Sequence, residues 1–517
     1  QALAAQEKPA DAEAYYRQAL RLNPKFAEAH NGLGNVLQSL ERLDEAVAQI
    51  RQALQLKPDF AEAHNNLGNA LLRQEKKDEA ASHYREALRL RPDYGEVHNN
   101  LGALMLAMNK PEVAETHCRQ ALRLRPEFAE GHNNLGNALL RLGKLPEAVE
   151  CFRKAVRLKP GFAEAHNNLG TAIKDLGQVE EGLAILEHAL TLKPDYTEAH
   201  WNRSLAWLLQ GDFERGWNEY EWRWQRPDFA WRRMNKPLWD GTEIAGRTIL
   251  IQSEQGLGDT IQFIRYAKLV KERGGTVIFE CQAPLMKLLS GVEGIDRLVA
   301  RGSPLPPYDF QVQLLGLPRI FHTTEATIPR QIPYLDADPA LVEKWRVVSD
   351  EWQGKADHSP LLVGIAWQGN PAQVADRQRS IPLAKFAAFA KIPGVQLISL
   401  QKGPGSEQLQ AASFPVMDLG SRLDESAGPF MDTAAVMKNL DLVISSDTAI
   451  PHLAGALGVP VWVALPVVPD WRWLLRREDS PWYSTMRLFR QSEFGRWEDV
   501  FERMADALQR LPTTTTA

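Results

Sequence analysis

Asp441-Leu442-Val443-Ile444-Ser445-Ser446-Asp447-Thr448-Ala449-Ile450-Pro451-His452-Leu453-Ala454-Gly455-Ala456-Leu457-Gly458-Val459-Pro460 is a short apolar run, a polar turn and an Ala/Leu-rich segment that stops at glycine and proline. The pattern predicts a buried parallel strand feeding a helix. Ser446 or Asp447 supplies the N-cap oxygen, Gly458 the left-handed stop, and Pro460 bars continuation. A helix that starts at the carboxyl end of a parallel strand directs free N–H groups and partial positive charge into the crevice where such sheets bind ligands. Diphosphates suit that place. Thr448 adds a hydroxyl donor, and His452, one turn on, a ring donor for a phosphate oxygen. Taken alone, the stretch also reads as an ordinary strand–helix unit with a capping aspartate.

A second stretch has the same grammar. Thr248-Ile249-Leu250-Ile251-Gln252-Ser253-Glu254-Gln255-Gly256-Leu257-Gly258-Asp259-Thr260-Ile261-Gln262-Phe263 is an apolar strand, a Gly-x-Gly-Asp turn and an amphipathic helix, expected over 260–272. Gly256 and Gly258 permit positive φ and close approach of a ligand to the backbone, and Asp259 sits where a carboxylate projects over the sheet edge. Its plainer reading is a helix cap. Together the two turns resemble the two halves of the family 9 glycosyltransferases, the lipopolysaccharide heptosyltransferases among them. A third match is Arg377-Gln378-Arg379-Ser380-Ile381-Pro382-Leu383, similar to the basic segment which that family places beside the donor phosphates. The likeness spans roughly 248–510 and rests on the ordered set.

The resemblance implies a GT-B fold of two facing Rossmann-like halves and an inverting transfer from a nucleotide-sugar, which is a substrate, with no cofactor. Glycosyl transfer needs a base at the acceptor and positive groups at the leaving diphosphate. It therefore implies Asp259 as base, with Gly256, Gly258, Arg379, Gln401, Lys402, Ser446, Asp447, Thr448 and His452 holding the donor. Arg379 stands where the family usually has lysine, which keeps charge and changes geometry; a surface salt bridge is its plainer reading. No Asp-x-Asp pair follows a strand in the expected place, so no divalent metal is expected. Asp376 and Asp470-Trp471-Arg472-Trp473 are expected to line the cleft.

At 517 residues the chain exceeds the ~250–300 residues at which one core stops growing. A net charge of -5 and a pI near 6.2 argue against nucleic acid as main partner. No apolar run reaches the ~18 residues of a membrane span and no leader pattern is visible, so a cytoplasmic protein is expected. Cys118, Cys151 and Cys281 are widely spaced and read as buried thiols in a reducing compartment.

Residues 1–225 are organised by another signal. Pro24, Pro58, Pro92, Pro126, Pro160 and Pro194 recur at a 34-residue interval, the tetratricopeptide period. In the copy at 27–60, Leu33 and Gly34 take close-packing positions on the first helix, Ala46 and Ala53 let the second approach, and Pro58 ends it. About six such repeats predict an α-helical solenoid that captures a protein or peptide in its groove. Asn66, Asn100, Asn134 and Asn168 fall at one repeat position, broken by Gly32 and resumed at Asn202. Stacked repeats turn these amides into a ladder that can pair with an extended peptide backbone, as in the similar array of the O-linked N-acetylglucosamine transferases. Bridging of adjacent repeats is the alternative. His30, His64, His98, His132, His166 and His200 also recur, but one per repeat leaves them ~10 Å apart, too far to share an ion.

The expected boundaries are 1–225 for the array and 226–247 for a Trp-rich junction. The first α/β half follows at 248–340, a linker at 341–359 and the second half at 360–490. A terminal helix at 491–510 packs back over the first half, and 511–517 is a disordered tail. Seven of the fifteen tryptophans lie between Trp201 and Trp239, and Trp217, Tyr220 and Trp224 share one helical face. That face reads as a packing seam, with a sugar-stacking platform as the alternative. The expected function is transfer of sugar from a nucleotide-sugar to a polypeptide acceptor. The alternatives are a protein-binding scaffold with a non-catalytic α/β part, and transfer to a lipid-linked or polysaccharide acceptor. No basic amphipathic helix marks membrane docking.

Overall fold

The computed structural model describes residues 9–227, 229, 236–353, 360–371 and 376–511. The expected disordered tail, beyond 511, lies outside the described residues, as do 354–359 of the expected linker and 230–235 of the junction. The chain divides into two compact units, residues 1–173 with 191–194, and residues 174–190 with 195–517.

The first unit is a succession of helix hairpins: Ala27–Ser39 with Leu43–Leu56, Ala61–Arg73 with Lys77–Leu90, Gly95–Ala107 with Pro111–Leu124, and Ala129–Arg141 with Leu145–Leu158. The repeated glycine explains how tightly each closes. A β-carbon on Gly34, Gly68, Gly102 or Gly136 would stand only 2.3 to 2.6 Å from Ile50, Tyr84, Cys118 or Phe152 of the following helix. Any larger residue would prise the pair apart. The recurring histidines tie each repeat to the turn before it: the Nε2 atoms of His30, His64, His98, His132 and His166 donate to the carbonyls of Pro24, Pro58, Pro92, Pro126 and Pro160 at 2.9 to 3.1 Å.

The second unit holds two parallel sheets. One has the order β3-β2-β1-β4, with β1 Thr248–Gln252, β2 Thr276–Cys281, β3 Arg297–Ala300 and β4 Phe310–Gln313. The other has the order β10-β9-β8-β5-β6-β7, with β5 Leu361–Ala366, β6 Val395–Ser399, β7 Met417–Asp418, β8 Leu442–Ser446, β9 Val461–Leu465 and β10 Met486–Arg490. β1 is flanked by β2 and β4, and β5 by β6 and β8, so each sheet has a switch point where successive crossovers leave in opposite directions. Crevices outside the carboxyl ends of strands at such points are where α/β sheets take ligands.

Several local expectations change. The helix after β1 starts at Leu257, three residues early, and is interrupted by a 3-10 turn at Ile264–Tyr266 before Ala267–Lys271. At the break Arg265 Nε donates to Gln262 O at 2.8 Å, engaging a carbonyl at the end of the regular helix. The sequence also predicts a helix over 284–291, and none forms there. Pro284 opens one 3-10 turn, Ala283–Leu285, and the chain then turns towards Gly294 at φ +92°. The terminal helix, Glu498–Gln509, packs on the second sheet's half and not over the first. Phe501 lies 4.9 Å from Phe386 and 5.3 Å from Phe389, and Val500, Met504 and Leu508 join the same core. The short connection from edge strand β10 brings it directly onto that apolar face.

The aromatic helix Phe213–Tyr220, at the end of the stretch expected to be array, is core of the second unit. Trp217 and Tyr220 are 2% and 1% exposed, and Trp217 meets Trp471 edge-on at 5.1 Å and Phe263 at 6.1 Å. Such rings cannot serve as an open stacking platform.

Candidate functional site

The turns that follow β1, β5 and β8 line one cavity of about 970 Å³ in the second unit. Of the residues singled out from the sequence, Gly256, Gly258, Asp259, Arg379, Gln401, Lys402, Asp447, Thr448 and His452 border it, as do Asp470 and Arg472. Ser446 is not among the lining residues. It is fully buried at the end of β8, with its Oγ unpartnered, because strand alternation turns it into the core. Asp376, also expected at the cleft, is 4% exposed and stands behind Arg379, at 3.6 Å from its Nε. The Arg377 side chain lies outside the described residues.

The helix after β8 is Ala449–Ala456, and its N-cap is Thr448, not Ser446 or Asp447. Thr448 Oγ1 accepts from Ile450 N at 3.3 Å, and Gly458 follows the helix at φ +74°. Asp447 is thereby left facing the cavity, 9% exposed. Burial and the charge of Asp470 push its carboxyl up to about 6, against the pull of Arg379. His452 is 4% exposed, with its ring stacked 5.1 Å from Trp473. Burial first, then the charges of Arg472, Arg265 and Arg379, hold it well below the usual histidine range, so it is neutral. His452 Nδ1 and the Tyr483 hydroxyl lie 3.1 Å apart, and the Tyr334 hydroxyl, which donates to the Ile261 carbonyl at 3.0 Å, lies 3.4 Å from Tyr483.

Opposite, Gly256 caps the helix Leu257–Phe263, and Asp259, at its third position, accepts from Gly256 N through Oδ2 at 2.8 Å. Asp259 thus closes a capping box from the third position, with Gly256 as the N-cap in place of Asp259, and Gly256 stands at φ -83° and not at the positive φ its residue type permits. Its other oxygen pairs with Arg472. Burial raises the Asp259 pKa and Arg472 opposes the rise.

Two expected donor contacts are already committed to the fold. Gln401 Oε1 accepts from the N–H groups of Trp367 and Gln368, both at 3.0 Å, and its Nε2 donates to the carbonyls of Gln368 and Pro404 at 2.9 and 2.7 Å. Its amide fastens the turn after β5 and has no capacity left for a ligand, which corrects its expected role. Lys402 Nζ donates to the Leu423 carbonyl but retains further donors at the cavity wall. The sequence reading missed Gln368, Gly369, Asn370 and Phe430. The first three lie just past β5, whose place beside β8 in the sheet brings them to the cavity.

In the array, asparagines bridge repeats. Nδ2 of Asn66, Asn134 and Asn168 donates to Oδ1 of Asn31, Asn99 and Asn133 at 2.9 to 3.0 Å, and Asn100 donates to Asn65 at 3.1 Å and Asn69 at 3.4 Å. This is the alternative weighed above, and it commits donors of the ladder sideways. At Gly32 a β-carbon would meet the Tyr16 ring at 2.6 Å, so an aromatic ring takes the missing asparagine's place. Among the described residues no group of three or more His, Cys, Asp or Glu side chains could hold a metal ion, and no helix is long and apolar enough to cross a membrane.

Comparison with known proteins agrees on the repeats. The tetratricopeptide repeat family matches residues 1–58, 34–95, 117–150 and 163–196, and its TPR repeat form matches 136–177. The N-terminal region is thus a tetratricopeptide scaffold of the protein-interaction type. Protein FlbA of Caulobacter vibrioides is 28% identical over 333 residues, 59% of this chain and 54% of FlbA. The chain spans about half the length of that curated relative, and the match is longer than the repeats alone. Among solved structures, YrrB, described as a TPR protein with an unusual peptide-binding site, is 27% identical, covering 36% of this chain and 95% of YrrB at a TM-score of 0.30. A thermophilic TPR protein of Thermus thermophilus is 22% identical, covering 35% of this chain and 99% of that one at 0.32.

Proposed function

We propose that the second unit is a GT-B glycosyltransferase, inverting and metal-independent, which moves sugar from a nucleotide-sugar to a polypeptide captured by the repeats. The observation that supports it is the convergence of two strand-end turns on one cavity. Gly256, Gly258 and Asp259 come from the first sheet, Asp447, Thr448 and His452 from the second, with Arg379, Lys402 and Arg472 as cations. In this reading Thr448, the helix start, neutral His452 and the cations receive the diphosphate, whose negative charge grows as it leaves. Asp259 takes the acceptor proton. The terminal helix, resting on its own half, is a departure from the GT-B pattern.

On the repeats, the Oδ1 atoms of Asn66, Asn100 and Asn134 remain as acceptors for peptide N–H groups. A second reading, a scaffold whose α/β unit binds without turnover, draws on the Asp259–Arg472 pair, since a base held by arginine is a weak one.

A thermal-shift screen of the full chain against nucleotide-sugars and nucleoside diphosphates tests the donor site. One class should raise the melting temperature. Asp259→Asn should then bind that donor and transfer nothing. Transfer undiminished by Asp259→Asn would remove the base assignment, and donor binding without transfer in the wild type would favour the scaffold.

A further inference from the structure

Arg472 is the cavity residue with the most conflicting obligations. It is 7% exposed and lies over Trp471 at 4.3 Å. Nη1 donates to Asp470 Oδ1 at 2.8 Å, Nε to Gln262 Oε1 at 2.9 Å, and Nη2 to Asp259 Oδ1. The first contact lies within its own sheet's half, and the other two reach the helix after β1. One guanidinium thus ties the segment after β9 to the helix after β1 and covers the Asp259 oxygen that Gly256 N–H does not hold. The cation and the carboxylate neutralise each other at the wall of a cavity that Arg379, Lys402, Asp447 and Asp470 also line.

A diphosphate entering between Thr448, Arg379 and Arg472 competes with Asp259 for Nη2, and a polyanion is the stronger partner for a buried guanidinium. We propose that Arg472 is a phosphate-operated latch on Asp259: the donor's diphosphate draws Nη2 away, and the carboxylate oxygen it uncovers becomes the base. The proposal rests on the reading of this cavity as a nucleotide-sugar site. In the step that follows, the acceptor's proton passes to Asp259 Oδ1 as the acceptor atom bonds to the anomeric carbon. The bond from that carbon to the phosphate oxygen breaks, and its electron pair leaves on the diphosphate, which keeps Arg472. Donor therefore binds before acceptor, and an empty site holds its base covered.

The test is a binding cycle with inorganic pyrophosphate, read by calorimetry on the full chain. Arg472→Gln should weaken pyrophosphate about tenfold, and Asp259→Asn, which frees Nη2, should tighten it about tenfold. In the Arg472→Gln background the Asp259→Asn gain should shrink to less than about twofold. Equal tightening in both backgrounds would show that Asp259 merely repels anions, and unchanged affinity in Arg472→Gln would show that Arg472 does not reach the phosphates. Either result overturns the latch and leaves the donor site standing. Failure of the wild type to bind pyrophosphate or any of ADP, GDP and UDP overturns the donor site, and the latch with it. If Arg472→Gln melts without cooperativity, Arg472→Lys replaces it in the cycle under the same criterion, since one ammonium cannot span Asp470 and Asp259 together.

Discussion

Gly258 and His452 meet across the cavity: a β-carbon on Gly258 would stand 3.1 Å from the imidazole Cδ2 and 3.4 Å from Ala449 Cα. The two strand-end turns are in van der Waals contact at that point, so a methyl group there must push the helix starts apart by a few tenths of an ångström. Gly258→Ala should leave the fold cooperative and weaken binding of pyrophosphate or a nucleoside diphosphate by about tenfold, measured by calorimetry.

Asp447 makes the cavity wall sensitive to pH. Its folded pKa, about 6, lies above the ordinary value of 3.8. The ionised form is therefore disfavoured in the folded protein, and its cost is fully present above pH 6. As pH falls from 6 towards 4 the folded protein takes up the proton first and the cost disappears. Asp447→Asn should stabilise the chain at pH 7.5 by up to about 3 kcal/mol. The gain should vanish near pH 4, as read from urea denaturation at each pH.

The array carries a histidine sensitivity of opposite sign. His64 and His83 meet Nδ1 to Nδ1 at 3.0 Å, and His98 and His117 at 3.1 Å, with ring centroids 5.3 Å apart in each pair. Nε2 of His64 and His98 already donates to a proline carbonyl, so each pair shares one Nδ1 proton, and a second has nowhere to sit. Burial lowers His83, His98 and His117. The neighbouring imidazoles reinforce this at His83 and His117, as do Arg51 and Arg85, while Glu79 and Glu86 pull His83 back. Stability present above about pH 6.5 is therefore lost as pH falls through the lowered folded values. In the first repeat Gln49 fills the partner position, 2.8 Å from His30. His83→Gln with His117→Gln should accordingly reduce the fall in melting temperature between pH 7.5 and 5.5 by about 2–4 °C per pair.

Arg223 has a fully buried side chain and holds Glu254, just before the Gly256 turn, through Nε and Nη2 at 3.0 and 3.2 Å. Glu254 also accepts from Leu315 N at 2.9 Å, and Gln255, at φ +55°, donates to the Tyr220 hydroxyl at 2.7 Å. Arg223→Met leaves a buried carboxylate unpaired and should cost about 3–5 kcal/mol. Arg223→Met with Glu254→Leu should recover part of that, checked by denaturant midpoints.

Local physics is what the sequence displays. The proline interval and the small residues of each repeat mark the helix hairpins, because close approach of two helices leaves room for little else at Gly34 or Gly68. The strand-turn-helix units at Gly256 and Asp447 are legible because apolar runs, caps and glycine stops act over a few residues. Even there the cap falls to Thr448, since several nearby oxygens compete for one N–H and backbone direction decides among them.

Residue order alone specifies a repeat array followed by parallel α/β units, and it marks turns that line the cavity. Which of those side chains are still available is settled by the folded arrangement. Ser446 points into the core, the Gln401 amide is used up in fastening the turn after β5, the asparagines grip one another, and Arg472 covers Asp259. These outcomes depend on pairings between segments far apart in the chain, and a hydrogen-bonding group has the same letter in the sequence whether or not a distant partner has already taken it.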